Sequence, residues 1–302
     1  MTAVMALFLA TGLVLPAMLL FPAPIAYCWI GRRDTLAWGL LLCATVTPVL
    51  MLGSVLVGLV FGLVAAQGLV LGVLVRNRMS LGRAILVLTL IVFVFMAAHS
   101  AIMWDTLRAD WQAALQMHSE RFESSADEEP APHVVSMLAW FEENLAYVYF
   151  GMLASGILLL VTALCSAIYW TMRLEAPVLG GNYKFMTMRT PEHLVWLAIL
   201  LALLWFLDSR WPNEVVRFLS WNGALVLATV YWINGLSILL YVFHVLKFKP
   251  FVPYIVLLGM VLLNLVYVLS IAGFFDTWLD FRRKASEYVM TRTQKDNDAS
   301  DK

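Results

Sequence analysis

ATVYWINGLSILLYVFHVLKFKP, residues 228–250, decides the class of this protein. From Ala228 to Val245 it holds no Asp, Glu, Lys or Arg, and a basic pair, Lys247 and Lys249, closes it. At about 1.5 Å per residue, a helix of about 20 such residues crosses a hydrocarbon core of about 30 Å. Near its middle sit Asn234 and Gly235, between Trp232 and Ser237. Glycine there permits a bend or a close helix crossing, and asparagine can bond backbone groups that a bend frees. A discontinuous helix at mid-membrane depth is one way to build a solute site. Helix packing alone accounts for the same residues.

Runs of this kind recur outward in both directions. The chain of 302 residues is 62% hydrophobic and 13% charged, where a soluble domain is about half apolar and a quarter charged. Its mean hydropathy is +0.83. The expected fold is all-α, a polytopic transmembrane bundle of about eight segments, near 3–30, 35–51, 53–75, 84–104, 135–172, 194–207, 216–248 and 251–275. The alternating ten-residue segments of an outer-membrane barrel are absent. The organisation reads as membrane helices one to four in 1–104, then an acidic extramembrane loop with an amphipathic helix in 105–135. Helices five to eight with an interfacial end occupy 136–284, and 285–302 is a polar, disordered tail. Pro16, Pro22 and Pro24 break the first segment, which leaves open whether 1–30 makes one pass or two. The N-terminus lacks a basic n-region and reads as a retained helix. Thr190, Pro191 and Glu192 give the sixth segment a capped start.

The net charge is zero, so nothing points to nucleic acid. The lipid bilayer is the expected partner. If alternate loops face the cytoplasm, Arg32, Arg33, Arg76, Arg78, Arg83, Arg173, Lys184, Arg189, Lys247 and Lys249 share one side, and Arg108, Arg121, Arg210, Arg217 and the basic tail fall on the other. Cys28, Cys43 and Cys165 form no close pair, and the five histidines have no ligand spacing, so no metal and no cofactor is expected. Catalytic and nucleotide signatures are absent, and no catalytic residue is assigned. An enzyme would have to draw on Glu142, Glu143, His133 and His193, which read more simply as solvated helix starts.

Polar residues inside apolar segments are the ligand-binding candidates: Gln67, His99, Trp232, Asn234, Ser237 and Asn264, with Ser100 beside His99. None is charged. Small residues four apart mark helix packing, at Gly58 and Gly62, at Gly68 and Gly72, and more weakly at Ala6 and Ala10. At the end of the last apolar segment, GFFDTWLDFRRK (273–284) spaces Asp276, Trp278, Asp280, Arg282 and Arg283 in a way that fits either a structured interfacial helix packed back on the loop after segment five or a solvated helix end. Asp276 and Asp280 share one face if the helix continues.

Three of these stretches carry a resemblance. FMTMRTPEHLVW (185–196), NGLSILLYV (234–242) and GFFDTWLDFRR (273–283), with the proline-rich FPAPIAYCWIGRR (21–33), look like the YybS-like family of uncharacterised bacterial membrane proteins. Asn234 stands where that family more often has glutamine. The resemblance implies the bacterial inner membrane. That family in turn resembles, more distantly, the substrate-binding components of energy-coupling-factor transporters, which dock on a membrane coupling partner through small residues such as the Ala6 and Ala10 pair. Two functional readings follow: a small-solute binding or transport component lacking its own ATPase, or a non-enzymatic envelope assembly protein. Substrate, partner identity and oligomeric state are not legible in the sequence.

Overall fold

The computed structural model describes residues 22–52, 55–77, 79–106, 132–175, 185–249, 251–263 and 267–300, with the isolated positions 108–109, 112–113, 117 and 265. Among the described residues the fold is helical and holds no strand: α1 (Pro22–Ile30), α2 (Asp34–Leu52), α3 (Val55–Arg76), α4 (Leu81–Ile102), α5 (Pro132–Glu175), a 3-10 turn (Phe185–Thr187), α6 (Leu194–Arg210), α7 (Glu214–Val245), α8 (Val252–Leu262), α9 (Tyr267–Leu279) and α10 (Phe281–Ser300). Ala6, Ala10 and the first part of segment one lie outside the described residues, as do most of the acidic loop and Asn264.

Among the described residues three helical stretches are long and apolar enough to cross a membrane: Leu81–Ile102, Glu143–Ile168 within α5, and Glu214–Val245. Asp34–Thr47, Ala65–Arg76 and Tyr267–Leu279 are shorter apolar helices. Lipid-facing character is plain along α2, where Trp38, Leu42, Val46 and Leu50 are exposed at four-residue intervals. On α6, Trp196, Ile199, Leu203 and Phe206 are exposed.

One open alternative is decided and three expectations are corrected. The helix α7 runs unbroken through Asn234 and Gly235, so Gly235 does not bend it. That glycine lies against the Leu269 carbonyl of α9, and Gly273 of α9 lies against the Tyr231 carbonyl. Both sites are filled by a crossing backbone, which a side chain would hold off. The interruption falls instead in the eighth segment, which divides into α8 and α9. The sixth helix starts at Leu194, beyond Thr190–Glu192, and its N-cap position, His193, makes no side-chain capping bond. Finally, the tail expected to be disordered from 285 is helical through Ser300. Asp280, with φ 40°, explains that start: as it ends α9, its Oδ1 accepts the Arg283 N–H at 3.3 Å and caps α10.

The chain divides into two compact units that interleave in sequence. One holds the residues up to Thr89, Ile157–Glu192 and those from Thr229 onward; the other holds Leu90–Gly156 and His193–Ala228. In the first, α1, α2 and α3 form a bundle around Ile25, Cys28, Ala37, Ala44 and Ala65. Gly68 meets the Pro22 backbone, Gly72 the Trp29 ring, and Gly62 the Thr45 side chain, so these small residues pack within the chain. Gly58 lies among side chains outside the described residues. In the second, Asn222 Nδ2 donates to the Tyr147 carbonyl at 2.5 Å and its Oδ1 accepts the Gly151 N–H. The Ser100 and Tyr149 hydroxyls bond at 3.0 Å.

Gly235→Ala or Gly273→Ala should lower the melting temperature of the purified protein, at a cost of about 1–3 kcal/mol, because the new Cβ meets backbone rather than a yielding side chain. Gly39→Ala on α2, where nothing lies within 4 Å of the added carbon, should be neutral or stabilising by up to about 1 kcal/mol.

Candidate functional site

The site lies in the first unit, where α7, α9, the start of α10 and the 185–190 segment meet. At its centre is the Arg282 side chain, only 3% exposed. Its Nη1 donates to Asp276 Oδ2 at 2.8 Å. Its Nη2 reaches the Met188 carbonyl at 2.8 Å, Ser237 Oγ at 3.0 Å and Asn234 Oδ1 at 3.2 Å. Asn234 Nδ2 in turn donates to the Gly273 carbonyl at 2.9 Å. Ser237 Oγ donates to the Phe185 carbonyl at 2.7 Å. A second ion pair, Arg189 with Asp280 at 3.3 Å, lies at the rim with Arg189 well exposed.

Each partner arrives by a local reason. Asn234 and Ser237 are three apart on α7, hence on one face. Asp276 ends the apolar part of α9, and its Oδ1 accepts the Phe281 N–H at 2.9 Å, so one carboxylate both caps α10 and pairs with its arginine. Burial pulls the Arg282 guanidinium below its ordinary range, and the Asp276 carboxylate pushes the other way. A guanidinium taken out of water must recover its hydrogen bonds from protein, and the planar fork suits a carboxylate plus fixed carbonyls. Several buried polar atoms of this unit have no partner among the described residues: Thr89 Oγ1, Thr162 Oγ1, Ser166 Oγ, Tyr231 Oη, Trp232 Nε1 and Arg282 Nε.

The structure thus brings Asn234, Ser237, Asp276 and Arg282 together, with Asp280 at the rim. Asp276 and Asp280 do not share a helix face, because α9 ends between Leu279 and Asp280. The candidates within the apolar segments are all uncharged; the structure adds the ion pair of Asp276 and Arg282, whose side chains are 8% and 3% exposed. Their polar surroundings in GFFDTWLDFRRK hid this, since a charge at the end of an apolar run reads as solvated. Trp232 is half-buried on α7 and Trp278 is exposed. Arg283 is exposed and pairs with Glu287 at 3.4 Å. Gln67 is half-buried on α3, and half-buried His99 belongs to the second unit. The sequence reading missed Asn222, whose signal was present as a second Asn-Gly pair on α7. Among the described residues no group of three His, Cys, Asp or Glu could hold a metal ion.

In the second unit a separate polar corner joins α6 to α7. Asp208 accepts the Asn213 N–H at 3.1 Å and Arg217 Nε at 3.2 Å. The Asn213 bond first, and then Arg217, hold the Asp208 carboxyl below the usual carboxylate range. Its stabilisation is therefore complete above the unfolded value of about 3.9 and is lost as pH falls through the lower folded value.

A family described as "Predicted membrane protein (DUF2232)" matches residues 2–277, and the chain belongs to it. No curated protein and no solved structure matches the chain.

Arg282→Ala, which strands Asp276 in the interior, should destabilise by about 3–5 kcal/mol, and pairing Arg282→Met with Asp276→Leu should recover most of it; thermal unfolding in detergent reads both. The stability difference between the parent and Asp208→Asn should be constant above about pH 5 and shrink below about pH 4.

Proposed function

We propose that this member of the DUF2232 family is a membrane-embedded component that binds a small polar solute, with no catalytic role and no ATPase of its own, and that it works with a separate coupling partner in the bacterial inner membrane. The observation that carries the reading is the set of unpartnered buried donors in the first unit: hydroxyls of Thr89, Thr162, Ser166 and Tyr231, the Trp232 indole N–H and Arg282 Nε. Each unmade bond costs about 1–3 kcal/mol in a dry interior. A solute rich in acceptors would remove that cost, and donors of this kind fit a neutral or anionic solute rather than a cation. The three stretches that resemble the YybS-like family are also the stretches that meet around Arg282, which supports the distant likeness to energy-coupling-factor substrate-binding components. The second reading, envelope assembly, is favoured by one feature: α10, a polar helix of 20 residues, is anchored at its base and exposes Tyr288 and Met290.

Native mass spectrometry of protein extracted gently from its own membrane should show a bound small molecule, and Tyr231→Phe and Trp232→Phe should each weaken its retention about tenfold. If the protein carries only lipid, and Tyr231→Phe simply raises its melting temperature, the hydroxyl is an empty penalty and the solute reading is wrong.

A further inference from the structure

The cluster around Arg282 fixes the depth of three distant parts of the chain. Ser237 bonds Phe185 and Met188, and Arg282 bonds Asn234, Ser237 and Met188. Residues 185–189, 234–237 and 276–282 therefore lie at one level along the membrane normal, whatever that level is. From Ser237, α7 continues to Val245, about 12 Å further at about 1.5 Å per residue. There the chain turns through Lys247, in the left-handed region with φ 56°. It then comes back: Leu269 lies at Gly235 and Gly273 at Tyr231. One number rises as the other falls, so α9 runs antiparallel to α7. At Asp280 the direction reverses again. Arg282 lies at Asn234 and Ser237, and Ser286 Oγ bonds Tyr241 Oη at 2.9 Å. Both numbers now rise, so α10 runs with α7, towards its C-terminal end.

The chain between Ser237 and Arg282 is a round trip. A crossing needs a net displacement of about 30 Å, and here the start and the finish touch. We infer that the last apolar stretch, residues 251–279, is a re-entrant arm and not a membrane crossing, and that α10 and the C-terminus leave on the same face as the α7–α8 turn. The turn on that face carries Lys247 and Lys249, both exposed, and exposed Arg283 and Lys284 open the helix that leaves towards it; the positive-inside rule assigns that face to the cytoplasm. An even count of crossings between the turn and the tail removes the conflict of a basic tail on the opposite side from the basic loops. It also gives the break between α8 and α9 a place, because interrupted backbone at membrane depth occurs where a segment turns back within protein. On α8, Tyr254, Ile255, Leu258 and Leu262 are exposed and face lipid.

The test is an epitope placed in the full-length chain at one of three positions: between Phe248 and Lys249, after Lys302, or after Pro212 in the α6–α7 turn. Antibody access is compared in spheroplasts before and after permeabilisation. The expected result is that the first two epitopes are reached only after permeabilisation and the third is reached in intact spheroplasts. A C-terminal epitope on the face opposite the 248–249 epitope overturns the re-entrant arm, and either of these two reached from outside overturns the cytoplasmic assignment. Should the insertion disturb the turn, Lys249→Cys and Tyr288→Cys, made singly with Cys28, Cys43 and Cys165 replaced by alanine, report the same comparison through labelling by a membrane-impermeant maleimide in sealed vesicles. Labelling from one and the same face supports the arm, and labelling from opposite faces removes it.

Discussion

A guanidinium cannot be left unbonded away from water, and the C-terminal part of this protein is arranged around that constraint. Arg282 takes a carboxylate from α9, a carbonyl from the 185–190 segment, and an amide and a hydroxyl from α7. Three parts of the chain far apart in sequence, 185–190, α7 and the α9–α10 joint, are tied at one point by a single side chain. A lysine at the same place would bring three donors on a flexible stem and no plane, and would not hold four directions at once. The polar cluster makes the packing specific, since apolar helices in lipid slide past one another with little to fix their register.

The second constraint is backbone proximity. Along α7 the pair Asn-Gly occurs twice, at 222–223 and 234–235. Asn222 bonds the Tyr147 carbonyl, and Gly223 makes room for Leu201. Asn234 bonds the Gly273 carbonyl, and Gly235 makes room for Leu269. In both, the amide supplies a directional bond to a neighbouring helix; at 234–235 the glycine admits that same helix, α9, and at 222–223 it admits a different one, α6. One local device is used once in each unit.

The class of the fold was legible because hydropathy acts over whole segments, and lipid tolerates only helices and closed barrels as spanning backbone. Helices α2 to α7 begin and end within a few residues of the apolar runs that mark them. The errors arose where one residue type supports two geometries. Gly235 permits a bend or a crossing, and only the presence of Leu269 beside it decides. Asp280 reads as a helix-face residue, yet it ends one helix and caps the next. Asp276 and Arg282 are six apart, which on a continuous helix would not pair them; the reversal between them does. Of the candidate site, Asn234 and Ser237 were legible as polar residues in an apolar run. Their partner was not, because nothing in a sequence distinguishes a charge that leaves the membrane from one that folds back into it.

That last distinction bears on function. A buried acid-base pair within a single rigid helix would be a fixture. Here Asp276 closes α9 and Arg282 opens α10, so the pair spans a joint, and the joint faces the segment carrying Met188 and Arg189. Any movement of α10 away from α7 must expose or re-pair both charges, and in a low-dielectric setting an unpaired charge is costly. On the solute-binding reading proposed above, any opening at this joint carries that cost.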